Sequence, residues 1–166
     1  MVVRALEAGI EVRSCARRDL DRVLEIERAS FGRDAWPEDA FLEYWRENPN
    51  LFLIARLGRR IAGYSITRTT WRGAELESIA VDPRYRARGV AQALLDATVA
   101  RLENASTLRL MVGTDNEAAL GFYRQYGFAR ARLVKRYYGP GRDAWRMRLN
   151  LTERRSRPKQ QTHKQA

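Results

Sequence analysis

The run Arg86-Ala87-Arg88-Gly89-Val90-Ala91 has the composition of an anion cradle. It follows a strand-like stretch, Glu75-Leu76-Glu77-Ser78-Ile79-Ala80-Val81, and the turn pair Asp82-Pro83. It leads into a helical pattern with Ala91, Leu94, Leu95, Thr98 and Leu102 on one face. A loop that opens straight into a helix presents unpaired backbone N–H groups and the positive end of the helix dipole, which suits a phosphate. Gly89 permits close backbone approach, small Ala91 keeps the first turn uncrowded, and Arg86 and Arg88 can add charge-assisted contacts. This predicts a pyrophosphate-bearing ligand. On the strand ahead, Glu75 and Glu77 share one face by alternation and could accept a proton. Solvated charges at a strand edge would show the same pattern.

The familiar phosphate loops are absent. A dinucleotide fingerprint needs G-x-G-x-x-G, and a P-loop needs G-x-x-x-x-G-K followed by Ser or Thr; here only Gly89 is present. The pattern R-x-x-G-x-A after a strand and Asp-Pro instead resembles the acetyl-CoA loop of the GNAT superfamily of N-acetyltransferases. A second block, Asn116 to Phe128, has the spacing N-x-x-A-x-x-x-Y-x-x-x-G-F and resembles the closing GNAT motif. Arg136-Tyr137-Tyr138-Gly139 and Asp143-Ala144 resemble the ends of RimI-like enzymes, which acetylate protein N-termini. The likeness spans about residues 10 to 151.

The resemblance implies an α/β fold of the GNAT type, a mixed, twisted central sheet flanked by helices. In that family the strands on either side of the acetyl-CoA loop and its helix splay apart, and the pantetheine arm lies between them. Carried over position by position, backbone groups of Ile79 and Val81 contact the pantetheine. The amides of Arg86, Arg88, Gly89, Val90 and Ala91 hold the pyrophosphate, and Asn116 supports the same ligand. Phe31, Trp36, Tyr137 and Tyr138 line a groove for a protein or peptide N-terminus, although Phe31 and Trp36 would serve equally as packing between helix and sheet.

Acetyl transfer needs a neutral amine, a polarised thioester carbonyl and a protonated leaving thiolate. Tyr123 matches the family tyrosine that protonates the sulfur. A phenol with a pKa of about 10 can donate to a thiolate whose conjugate acid lies at about 8.5. Ala119, Phe122, Tyr123 and Tyr126 also form a helical stripe, which on its own reads as packing. The Val81 N–H would orient the thioester carbonyl. The base departs from the family: RimI-like enzymes carry a Glu where this chain has Met111, and a thioether accepts no proton. Glu75, which aligns with the base of the histone lysine acetyltransferases, and Glu77 are the replacements. At pH 7 an α-amine of pKa about 7.8 is neutral in roughly one molecule of seven, and a lysine amine in roughly one of a few thousand. The difference, about 3.5 kcal/mol, matches a site without a strong base to an α-amine. Lysine or small-molecule amines remain the enzymatic alternative, and a non-catalytic GNAT-like RNA-binding or ribosome-binding module the other.

Elements must position these groups. Strand patterns at 10–14, 51–57, 61–71, 75–81, 108–112, 130–138 and 144–151 alternate with helical patterns at 17–30, 37–46, 91–102 and 116–126. The 166 residues, 45% of them hydrophobic, suffice for one compact α/β domain over 10–151, with an N-terminal extension over 1–9. No window approaches twenty apolar residues, and Arg4 and Glu7 interrupt any leader-like start, so neither membrane span nor secretory signal is expected. A single cysteine, Cys15, fits a reducing cytoplasm, and a small apolar role suits it better than a nucleophilic one. The net charge of +11 raises a nucleic-acid reading. Part of it lies in residues 152–166, a basic tail without large apolar residues that is expected to be disordered and could touch ribosomal RNA. The only histidine, His163, lies there, so no metal site is expected.

Overall fold

A computed structural model describes residues 3–5 and 9–156. They fall into two compact units, the first ending at Asn104 and the second starting at Ala105, where the sequence suggests one domain.

The first unit is built on five strands, β1 (Val3–Ala5), β2 (Ile10–Ser14), β3 (Phe52–Leu57), β4 (Arg60–Thr70) and β5 (Gly73–Val81), each antiparallel to the next. β1 forms inside the expected extension and pairs Val3 with Val12. Helices α1 (Leu20–Phe31) and α2 (Glu38–Glu47) connect β2 to β3, and α3 (Val90–Arg101) follows β5. Alternation along β3 divides the core. Phe52 and Ile54 join Leu20, Val23, Ile26 and Phe41 from the first two helices, whereas Leu53 and Ala55 meet Val90 and Leu94 of α3. Each of these larger side chains, fully buried, contributes about 1.5–3 kcal/mol. α3 lies tight on β4 because Gly63 has no side chain: a Cβ there would sit 2.7 Å from the Ala80 carbonyl oxygen and 3.0 Å from Val90. The predicted first helix starts as a 3-10 turn, Arg17–Asp19. The buried Asp19 carboxylate there accepts the Ala16 N–H at 2.7 Å and pairs with Arg13 at 2.7 Å.

Beside that turn, Cys15 is buried, and burial pushes its thiol up to about 12, consistent with an inert packing role.

The second unit holds β6 (Thr107–Gly113), α4 (Glu117–Tyr126), β7 (Ala129–Val134), β8 (Ala144–Asn150) and α5 (Leu151–Ser156). β8 pairs antiparallel with both β6 and β7. The sixth predicted strand, expected to reach Tyr138, stops at Val134, and residues 136–143 turn instead, with Gly139 N–H bonded to the Arg136 carbonyl and Arg142 N–H to that of Gly139. The expected disordered tail begins inside α5. Arg154 docks that helix by donating to the Tyr126 carbonyl at 2.9 Å, its guanidinium lying 4.2 Å from the Tyr126 ring centre. Residues 157–166, most of the expected tail, lie outside the described residues.

Candidate active site

The phosphate-cradle loop is built from the end of β5 outward. Asp82 caps a 3-10 turn, Pro83–Tyr85, by accepting the Arg84 N–H at 2.9 Å. Its buried carboxylate also takes the Arg84 guanidinium at 2.9 Å and that of Arg22 from α1. These bonds, Arg84's foremost, hold the Asp82 carboxyl far below the usual carboxylate range against the burial that would raise it. The chain then runs exposed through Arg86 to Gly89. Ala87 (φ 59°) and Gly89 (φ 81°) are both left-handed, and Arg86 reaches back to the Val81 carbonyl at 3.3 Å. A non-glycine residue in that region costs about 1–2 kcal/mol, a strain that clusters at ligand clamps. The first intrahelical bond of α3 joins the Ala93 N–H to the Gly89 carbonyl at 3.0 Å. The N–H groups of Val90, Ala91 and Gln92 therefore precede the helical ladder, which is the arrangement a phosphate needs. Arg84 and Arg88 flank the Tyr85 ring, 5.8 and 5.7 Å from its centre.

On β5 the register slips at Glu77: Ser78 faces Ile66 while Leu76 faces Thr67. This bulge leaves Glu77 and Ser78 both on the side of α1 and α2. Glu77 and Glu75 meet on Arg68, at 2.9 and 3.8 Å, so the two predicted carboxylates do share a face, and they share one cation. The side chains of Ile79 and Val81 pack at the edge of the α3 core. Trp36 stacks on Tyr44 at 5.5 Å and meets Phe41 at 5.9 Å, so packing accounts for its ring. Phe31 is 41% exposed.

In the second unit Asn116 caps α4, its side chain accepting the Ala119 N–H at 3.2 Å. Tyr123 is buried in an aromatic cluster, its ring 5.4 Å from Phe122 and 5.6 Å from Phe128. Burial first, and Tyr138 second, push its phenol above the ordinary value. Among the described residues its hydroxyl has no hydrogen-bond partner. Tyr138 donates to the Met111 carbonyl at 3.4 Å and meets Tyr137 edge-on at 4.8 Å; both tyrosines are more than two-fifths exposed. Met111 is half-buried on β6 and paired with Arg146.

Sequence reasoning missed Glu27. Its carboxylate is buried and accepts the Trp36 N–H at 2.9 Å and the Tyr64 hydroxyl, which lies 3.0 Å from the Ser78 Oγ. The available signal was a carboxylate on the apolar stripe of α1, four residues after Val23 and three after Leu24.

The signature of the Acetyltransferase (GNAT) family matches residues 20–128. The chain belongs to the GNAT acetyltransferase family. This GNAT protein is 36% identical over 145 residues to the N-alpha-acetyltransferase RimI of Mycobacterium tuberculosis, covering 84% of this chain and 91% of that one. Among solved structures it is similar to Ard1 from Thermoplasma volcanium, with TM-score 0.80 and 29% identity over 86% of this chain and 97% of that one. It is also similar to the ribosomal-protein-S18-alanine N-acetyltransferase from Escherichia coli, with TM-score 0.75 and 28% identity over 86% and 94%. The fold is thus the GNAT fold, and the protein is a GNAT-family N-acetyltransferase, of a family that takes its acetyl group from acetyl-CoA.

Proposed function

We propose that this acetyltransferase acts on the α-amine of a protein or peptide N-terminus, by direct attack of the amine on the acetyl donor with both substrates bound. The observation that carries this reading is the relatedness to an N-alpha-acetyltransferase over most of both chains. The chemistry of the site agrees with it. Acetyl-CoA supplies an activated acyl group and two kinds of phosphate. The left-handed residues Ala87 and Gly89, the leading N–H groups of α3, and the exposed Arg86 and Arg88 fit a pyrophosphate. In this reading Arg86, Arg88, Gly89, Val90 and Ala91 hold that group, the backbones of Ile79 and Val81 hydrogen-bond the amide-bearing arm, and Asn116 lends a further polar contact.

Tyr123 is the general acid. A phenol held protonated by its apolar surroundings keeps its proton until a strong base, such as a departing thiolate, is presented to it. Glu75 and Glu77 serve as proton acceptors through water, with Arg68 holding their carboxylates in place. Met111 leaves the β6 position without a basic side chain, which favours an acceptor that is already partly neutral at pH 7. Phe31, Trp36, Tyr137 and Tyr138 contact the acceptor's first residues.

The test compares peptides with free and blocked N-termini. Turnover is expected on the free peptide, with kcat/KM rising about tenfold per pH unit and levelling near the α-amine pKa of about 7.8. Equal turnover of a blocked, lysine-containing peptide, with kcat/KM still rising above pH 9, would reject the α-amine assignment.

A further inference from the structure

Among the buried groups of the first unit, one carboxylate calls for an explanation. Val23, Leu24 and Ile26 of α1 are buried as an amphipathic helix requires, yet Glu27 follows them with only 1% of its surface exposed. No ion pair reaches it among the described residues. A carboxylate buried without a cation is costly, so its hydrogen bonds must be well made. They tie together three separate segments. Oε1 accepts the backbone N–H of Trp36, in the loop between α1 and α2, at 2.9 Å. Oε2 accepts the hydroxyl of Tyr64, a fully buried residue of β4. That hydroxyl in turn lies 3.0 Å from the Ser78 Oγ, at the bulge of β5.

Stacking extends the network toward α2. The Trp36 ring stacks on Tyr44 of α2. The Tyr44 phenol is raised by burial and then by the Glu77 carboxylate, so it lies within electrostatic reach of the same bulge. Hydrogen bonds thus join Glu27 to Trp36, Tyr64 and, through Tyr64, Ser78, and stacking joins Trp36 to Tyr44, with the loop after α1 on one side and the carboxylate-bearing strand on the other. Glu27 is the one member that bonds to both sides directly or through a single hydroxyl.

We propose that Glu27 is a positioning residue for the acceptor substrate. It fixes the Phe31–Trp36 loop and the Glu77–Ser78 bulge in one frame, so that the acceptor backbone and its amine meet surfaces already set in register. The inference rests on the peptide-acetylating reading above. A carboxylate suits the position because its two acceptor oxygens face two donors at once. A glutamine keeps the bond to Trp36 but presents an N–H to the Tyr64 hydroxyl, which must then accept there and donate to Ser78, so the charge-assisted bond that holds the link is lost.

The experiment measures Glu27→Gln and Tyr64→Phe against wild type, with acceptor peptide and acetyl-CoA varied separately well below the unfolding temperature. The acceptor KM is expected to rise about tenfold in either variant, the effect of losing one hydrogen bond to a charged group. The acetyl-CoA KM should change less than about twofold. A general structural loss would instead lower the active fraction and leave both KM values alone. Hydrogen exchange at the Trp36 amide supplies a reading independent of turnover: Glu27→Ala should speed it at least about tenfold. Unchanged acceptor KM in both conservative variants, an equal rise in both KM values, or unaltered Trp36 exchange overturns the proposal. Should wild type acetylate only lysine side chains, the α-amine reading falls alone, and the same KM comparison is made with the lysine peptide.

Discussion

Tyr123, the proposed general acid, is held by packing alone. Its ring is fixed by Phe122 and Phe128, while its hydroxyl bonds to nothing among the described residues. Removing that oxygen should therefore cost stability less than about 0.5 kcal/mol. Loss of a general acid should cost kcat about 100-fold or more. Tyr123→Phe is thus expected to fold like wild type, bind acetyl-CoA within about twofold of wild type, and turn over slowly, as isothermal titration and steady-state kinetics would report. A wild-type kcat would remove Tyr123 from the chemistry. At this scale the sequence was partly legible. Spacing is what singles out Tyr123, Asn116 and the loop arginines as the proposed site residues, because motif positions recur at fixed intervals along one helix or turn. Glu27 was illegible, since its partners Trp36, Tyr64 and Ser78 lie 9, 37 and 51 positions along the chain, and only folding brings them together.

The loop and helix α3 meet at Gly89, whose left-handed backbone turns the chain into the helix. A Cβ there would meet nothing nearer than 3.9 Å, the Ile10 Cδ1, so the cost of a side chain is the left-handed backbone alone. Gly89→Ala should lower stability by about 1–2 kcal/mol in denaturant unfolding and raise the acetyl-CoA KM, because relief of the strain turns the leading N–H groups away. An unchanged KM would mean that the cradle tolerates a different backbone. Periodicity located the ends of α3 and β2 to within one residue, because apolar spacing there runs unbroken from cap to cap. It misjudged β7, whose residues are nearly all exposed and give no alternation to read. It missed the bulge at Glu77 as well: an extra residue in one strand changes which side chains share a face but leaves the sequence pattern apparently regular.

Across the whole molecule, charge sets the response to acid. Asp82 links α1 to the end of β5 through Arg22 and Arg84, and its carboxyl is held well below the ordinary range. A depressed native pKa adds stability that is complete above the unfolded value of about 4 and is lost as pH falls through the native one. Asp82→Asn should accordingly lower Tm by about 2–4 °C at pH 7, and the gap should begin to narrow only below about pH 4 and shrink further as pH falls toward the native value. A gap independent of pH would assign the loss to packing. Neither Asn104 nor Ala105 stands in a linker-like stretch rich in Gly or Pro, so the sequence carries no mark of the boundary between the two compact units. Ribosomal RNA contact through the basic tail stays a hypothesis that a binding assay on the full chain can test.

The lone sulfhydryl has a practical consequence. Burial raises the Cys15 thiol, so at neutral pH it holds far less of its reactive anion than a solvent-facing cysteine would, and core residues surround it. A maleimide dye will therefore find any cysteine engineered onto the exterior and pass over the native one. Paired labels on the loop after α1 and on a strand of the same unit would then report whether that loop stays fixed, by energy transfer, without first stripping the protein of its own thiol.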